Sequence, residues 1–278
     1  MKWLRRNKKT QEEETVIRAE APSVRPSLLS YDAANLQGMG TRRGQEDAFA
    51  FVNIFDVTEI KKNGLMFMVA DGMGGMKDGR VASDTVIAGM KEAFYRMDRS
   101  GDLALQLQDS VFEVGEQVVR ALGGDGGSTL IACILFEEQF YFASVGDSFL
   151  YLKRNGQLHR LNREHNLLNQ TYLENIRQGN MNPALCDAGK EGAALTQFMG
   201  MEGMDEIDFL RSPLPLCEGD TFLVCSDGVG GVLSEQTILS CMEKEEAKDI
   251  CDALEREIVA QGRDNQDNYT ALVVKCVY

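Results

Sequence analysis

Histidine is scarce in this chain of 278 residues: there are two, His159 and His165, and they lack the H-E-x-x-H pattern, so a zinc protease is not supported. Paired cysteines are missing too. The seven cysteines, Cys133, Cys186, Cys217, Cys225, Cys241, Cys251 and Cys276, are odd in number and include no C-x-x-C pair, which removes a zinc knuckle and a full disulfide set. They read as reduced core thiols. None is followed six positions later by an arginine, the spacing that a cysteine phosphatase requires. Positive charge is in deficit, with 29 Lys and Arg against 43 Asp and Glu and a net charge of -14. A protein that coats nucleic acid needs the opposite balance, because phosphate contacts are made by Lys and Arg. No stretch approaches the 18 apolar residues of a membrane span, and no apolar run follows the basic residues of 1–10 to serve as a signal. The compartment reads as cytoplasmic.

What remains is ordinary globular material, 44% hydrophobic and 26% charged, with room for a sizeable core. Residues 1 to about 27 are charged and carry Pro22 and Pro26, which reads as a solvated tail, with a docking or membrane-surface arm as the alternative. From residue 28 onward there is no composition break or repeat, so the rest reads as a single domain. Apolar runs predict strands over 48–54, 65–70, 129–136, 139–145, 149–153, 221–225 and 270–277. Helices are expected over 81–97, 102–122, 234–243 and 245–260; in the second, Leu103, Leu107, Val111, Val114 and Val118 recur at three- and four-residue spacing. Strands followed by paired helices, twice over, fit sheets covered by helices rather than a strict β-α alternation.

Four segments place acids beyond apolar strands or at turns: GTRRGQEDAF (40–49), FMVADGMGG (67–75), FLVCSDG (222–228) and DNQDNYTALV (264–273). A carboxylate at a strand end is aimed by a rigid scaffold, and an adjoining glycine lets an ion approach the backbone. Acids packed this closely repel by about 4 kcal/mol per pair at 4 Å and an effective dielectric near 20, so a cluster implies a cation. Oxygen-only donors suit Mg²⁺ or Mn²⁺ better than zinc. Taken singly, Asp71-Gly72 and Asp227-Gly228 are also hairpin-turn signals, Glu46-Asp47 is also a solvated pair, and Arg42 could be a surface ion-pair partner. Residues 72–79 are glycine-rich but lack both the G-x-G-x-x-G register and a Walker lysine.

Together, and in this order, the segments resemble the metal-dependent protein Ser/Thr phosphatases of type 2C, in their bacterial form. The resemblance runs from about Asn35 to Val277. It rests on Arg42, Glu46 and Asp47, on Val69 to Gly75, on Gly127-Ser128-Thr129, on Val145 to Ser148, on Leu195-Thr196 with Gly200, on Ser226-Asp227-Gly228, and on Asp267 to Thr270. It implies an α+β fold of four α-β-β-α layers, two antiparallel sheets flanked by antiparallel helices. It also implies two Mn²⁺ or Mg²⁺ ions that activate a water for direct hydrolysis of phosphoserine and phosphothreonine, without a phosphoenzyme. Asp71 would bridge the ions, the Gly72 carbonyl would complete one shell, Asp227 and Asp267 would hold the other ion, and Glu46 would act through water. Asp47 would orient the nucleophilic water, and Arg42 would grip phosphate oxygens. The implied partners are phosphoproteins modified by a Ser/Thr kinase; the rival reading is a weakly catalytic relative that binds phosphoproteins or regulates a kinase.

Several positions depart from the family. Met73 stands where many members have a histidine that protonates the leaving group, Gln45 replaces an asparagine and Phe149 an arginine. Gly231 replaces an acid that often helps to hold a third ion, so that site is half present, on Asp147 alone. His165 is expected to be structural. Residues 166–212, with Met181, Met199, Met201 and Met204, are either locally packed or a flap beside the active site.

Overall fold

The computed structural model describes residues 30–73, 79–180 and 191–277. The expected tail over 1–27, Cys186, Met181 and most of the glycine-rich turn after Met73 lie outside them. The described residues form eleven strands and seven helices: β1 (Ser30–Gly38), β2 (Asp47–Val52), α1 (Val57–Asn63), β3 (Leu65–Asp71), α2 (Gly79–Arg96), α3 (Leu103–Leu122), β4 (Leu130–Phe136), β5 (Gln139–Val145), β6 (Phe149–Arg154) and β7 (Gln157–Arg160), then α4 (Leu167–Arg177), β8 (Asp208–Phe209), β9 (Leu214–Pro215), β10 (Thr221–Cys225), α5 (Asp227–Gly230), α6 (Glu235–Cys241), α7 (Ala247–Ala260) and β11 (Tyr269–Val277).

The strands form two antiparallel sheets, ordered β1-β11-β10-β6-β7 and β2-β3-β4-β5-β8, with β9 also paired to β5. Their central strands are buried on both faces, which is why they read as continuous apolar runs rather than alternating ones. Successive side chains then serve different layers. Leu65, Phe67 and Val69 of β3 and Ile131, Cys133 and Leu135 of β4 meet Phe222, Val224, Leu272 and Val274 between the sheets. Met66, Met68, Ala70, Ala132 and Ile134 face outward onto Val86, Met90, Leu107 and Val111 of α2 and α3. On the other side, Leu223, Cys225, Ala271 and Val273 pack on Ile250, Leu254 and Ile258 of α7. These three apolar layers separate four layers of backbone, the arrangement that the family resemblance implies. Each fully buried Leu, Ile or Phe contributes about 1.5–3 kcal/mol to holding them together.

Local signals set the boundaries. Asp102 caps α3 by accepting from Leu105 N–H, and Gly123, at φ 61°, ends it in the left-handed conformation. Asn155-Gly156, both at positive φ, turn β6 back into β7, an Asn-Gly hairpin that the strand reading stopped short of. The strands β1, β7, β8 and β9 and the helices α1, α4 and α5 were not expected. β1 pairs with β11 at the edge of its sheet, and its polar sequence SYDAANLQG lacks an apolar run. The cysteines are free thiols among the described residues, but Cys217 is exposed, a correction to the expectation that all are core groups. Met199 is fully buried beside α3, and Met204 packs on the same layer, so these two contribute to local packing.

Candidate metal centre

Register begins the assembly of the site. β2 pairs with β3 so that Asp47 stands opposite Asp71, and like charges directly opposite one another in a ladder repel. Asp47 is fully buried; Ser226 Oγ donates to its Oδ2 at 2.9 Å, and its Oδ1 has no donor. Burial pushes the Asp47 carboxyl up to about 6, against the opposing pull of the neighbouring Thr270, Ser226 and Asp71 side chains. Asp71 ends β3, where its N–H donates to Thr129 Oγ1 at 3.0 Å and its carbonyl accepts from Thr129 N–H at 2.9 Å. Burial, followed by repulsion from Asp47, Asp227 and Asp147, holds Asp71 well above the ordinary carboxylate range. Asp227 opens α5 just beyond β10, and is raised by burial first and by Asp267 second. Asp147, in the turn between β5 and β6, is pushed to about 7 by burial, Asp227 and Glu164.

The loop before β2 is tied to the start of β11. Asn268 Nδ2 donates to the carbonyls of Met39 and Gly44 at 3.0 Å each, and its Oδ1 accepts from Glu46 N–H at 2.8 Å. Thr41 donates from N–H and Oγ1 to the Gln266 carbonyl at 2.9 and 3.0 Å. Gly40 makes this approach possible: its φ is 58°, and a Cβ there would stand 2.3 Å from the Asp267 carbonyl oxygen. The result places Arg42 Nη2 2.5 Å from Asp267 Oδ2. Gln45 bridges Gly38 and Asp47, donating to the first and accepting from the N–H of the second.

The structure thus brings Arg42, Asp47, Asp71, Asp147, Asp227 and Asp267 to one end of the sandwich. Gly72 joins them through its backbone; its N–H donates to the Glu46 carbonyl at 3.2 Å, and a Cβ on it would lie 2.2 Å from the Gly79 carbonyl oxygen. Glu46 is held by its backbone, and its half-buried carboxylate makes no hydrogen bond or ion pair with any described residue. His165 pins the turn that carries Asp147: its Nδ1 accepts from Gly146 N–H at 3.1 Å, and its own N–H donates to the Gly146 carbonyl at 2.8 Å. Burial lowers its pKa, which keeps the ring neutral. Sequence reasoning missed Ser226, Asn268, Gln45 and Thr129 as supports of these acids, although all four lie in or beside the motif segments.

Among the described residues no three His, Cys, Asp or Glu side chains already form a closed cation cage. Asp267 is taken up by Arg42, and Asp71 is crowded by the carboxyls of Asp47 and Asp227. The donor set nevertheless fits hard divalent cations. It is all oxygen, it holds a buried Asp47 oxygen without a donor, and its carboxyls are raised by burial and by their mutual repulsion, both of which a cation would relieve.

Comparison with known proteins agrees with the fold and the order of motifs. The profile of the family described as protein phosphatase 2C matches residues 43–261. The chain is 28% identical over 228 residues to the serine/threonine phosphatase stp of Listeria welshimeri, covering 79% of this chain and 87% of the relative. It is 28% identical over 181 residues to the protein phosphatase PhpP of Streptococcus pneumoniae, covering 62% of this chain and 70% of the relative. Among solved structures, the serine/threonine phosphatase of S. agalactiae superposes with a TM-score of 0.72 at 25% identity, covering 88% of this chain and 98% of that one. The catalytic domain of PstP, solved in complex with two manganese ions, superposes at 0.70 with 24% identity, covering 90% and 100%. With the profile spanning most of its length and the acids of the motif segments gathered at one end of the sandwich, the chain belongs to the protein phosphatase 2C family.

Proposed function

We propose that this chain hydrolyses phosphoserine and phosphothreonine esters in proteins, with two Mn²⁺ or Mg²⁺ ions held by Asp71, the Gly72 carbonyl, Asp227 and Asp267, and by Glu46 through water. The observation that carries this reading is the convergence of Asp47, Asp71 and Asp227 with raised carboxyl groups next to the Arg42–Asp267 pair. Divalent cations, when bound, neutralise the charge of the phosphate and make a water acidic enough to attack near neutral pH. The residues supply position and proton transfer. Arg42 carries a planar fork that fits two phosphate oxygens. Asp47 Oδ1, buried and without a donor, orients the attacking water and accepts its proton. Attack in line with the departing alkoxide gives inorganic phosphate in one displacement. Met73 has no proton to give, so the departing alkoxide takes its proton from water, and Asp47 returns the proton it accepted to bulk water.

Residues from 28 onward act as one catalytic unit, with 1–27 as a charged tail. Residues 166–212, which include α4, act as a substrate-facing flap beside a groove of about 600 Å³ lined by Arg160, Arg163, Leu168 and Tyr172. Asp147 alone is a poor third-ion site, since Gly231 brings no carboxylate. The substrates are proteins modified by a Ser/Thr kinase. A cytoplasmic setting suits the buried free thiols Cys133, Cys225, Cys241, Cys251 and Cys276.

The test is phosphate release from a phosphothreonine peptide with Mn²⁺, with and without a chelator, for the native chain and Asp71→Asn. Chelation and the substitution should each reduce turnover by at least about 100-fold, with the circular dichroism spectrum of the variant unchanged. Release indifferent to chelator would refute metal catalysis. Peptide binding without release would favour a binding module.

A further inference from the structure

A cavity of about 140 Å³ borders the acid cluster, lined by Asp227, Gly228, Gly231, Arg263, Gln266 and Asp267. Asp227 and Asp267 belong to the proposed metal centre, but Arg263 and Gln266 have no part in the hydrolytic chemistry. Gly228 and Gly231 keep one wall bare. On the rim, Arg263 lies in the turn between α7 and β11, exposed and without a hydrogen bond or ion pair to any described residue. What sets it apart from other exposed arginines is its place on the wall of this cavity, next to Gln266 and Asp267 in the lining.

Gln266 supplies a second, independent feature. It is 8% exposed, and its Nε2 donates to the Gly228 carbonyl at 3.0 Å and to the Asp267 carbonyl at 3.2 Å. Those two acceptors fix the amide orientation, because a flip would set its oxygen against two carbonyls. Its Oε1 is then buried without a donor. Arg263 and Gln266 both line the cavity, whose wall thus holds a free cation and an unsatisfied acceptor. An extended peptide carries the complement of both, a backbone N–H and an acidic side chain. A free anion would meet Asp227 and Asp267 with no peptide N–H for Gln266.

We propose that this cavity is a substrate subsite that reads an acidic side chain flanking the phosphorylated residue. Arg263 pairs with the carboxylate, and Gln266 Oε1 accepts a backbone N–H of the same peptide. Asp267 links the subsite to the reaction, since it lines the cavity and pairs with Arg42 at 2.5 Å. Asp267 is thus common to the phosphate-gripping arginine and to the cavity that carries Arg263. The proposal rests on the phosphatase reading above and names the substrate class that this reading leaves open.

The experiment compares phosphothreonine peptides that carry Glu, Gln or a second phosphoserine at each position from two before to two after the phosphothreonine. The ratio of kcat/KM for Glu over Gln is measured with Mn²⁺ for the native chain, Arg263→Gln and Arg263→Lys. The native chain should prefer Glu at one position or more by about three- to tenfold, carried by KM, the size of a partly exposed charged contact. Arg263→Gln should bring the ratio close to one, and Arg263→Lys should restore part of it. A native ratio of one, or a preference that survives in Arg263→Gln, would overturn the proposal. A preference for the second phosphoserine with none for Glu would overturn the acidic side-chain assignment. If no peptide is turned over, the phosphatase reading fails, and fluorescence anisotropy with the same peptides decides separately. Tighter binding of Glu than Gln, lost in Arg263→Gln, would uphold the subsite, and equal binding would refute it.

Discussion

Ser226 shows how much of the site is decided by single hydrogen bonds. It is fully buried, its Oγ donates to Asp47 Oδ2, and the same oxygen accepts from Thr270 N–H at 3.0 Å. Ser226→Ala leaves Asp47 without that donor and Thr270 without that acceptor. The cost should be about 1–3 kcal/mol of stability in urea unfolding, and kcat should fall by about 10- to 100-fold with little change in KM. An unchanged kcat would mean that Asp47 does not need this orientation. At this scale the acids were legible, because Asp71 and Asp227 are each followed by glycine at a strand end. Their supports were not. Ser226 meets Asp47 across 179 positions, Asn268 meets Glu46 across 222, and Arg42 meets Asp267 across 225. No local pattern encodes such pairs. Arg42 is the instructive case, since it is ion-paired here, but to a carboxylate of the site itself.

Among the elements, the junctions after β3 and β10 carry the chemistry, and both depend on glycine. A Cβ on Gly228 would stand 1.9 Å from the Asn268 carbonyl oxygen, where backbone cannot yield. Gly228→Ala should push α5 away from β11, lowering stability by about 3 kcal/mol and removing the rise in Tm that Mn²⁺ gives the native chain. Differential scanning calorimetry with and without Mn²⁺ measures both, and a variant with native stability and a native Mn²⁺ response would contradict this packing. Long apolar or strongly periodic elements were readable from sequence. β5 and β10 fall on their expected residues, and α3 starts one residue later than expected. What went unread was polar, short or edge-placed: β1 is held by backbone pairing to β11, and β8 and β9 have two residues each. Their positions come from what they pair with.

For the molecule as a whole, the raised carboxyls make stability depend on pH and on metal together. Between their ordinary range near 4 and the values of about 6 for Asp47 and about 7 for Asp147, the folded chain binds more protons than the unfolded one. Asp71 and Asp227 are shifted in the same direction. The stability contributed by these groups in the metal-free protein therefore falls as pH rises through that window. Divalent cations bind the deprotonated carboxylates, so the rise in Tm on adding Mn²⁺ should grow over the same window. Thermal unfolding at pH 5.5 and 7.5, with chelator or with Mn²⁺, checks this. A gap between the two curves that does not change with pH would show that the acids do not share an ion.

At this scale the four-layer architecture was legible through the family resemblance and the runs of apolar strand residues, while the pairing order of the sheets was not, because it depends on contacts between β1 and β11 and between β2 and β3 that span different distances along the chain. The most direct test of the metal centre is anomalous diffraction from a crystal grown with Mn²⁺. Two peaks about 3.5–4 Å apart, bounded by Asp71, Asp227 and Asp267, with Arg42 released from Asp267, are the expected result. Absence of manganese from this end of the sandwich, with the Arg42–Asp267 pair intact, would contradict it.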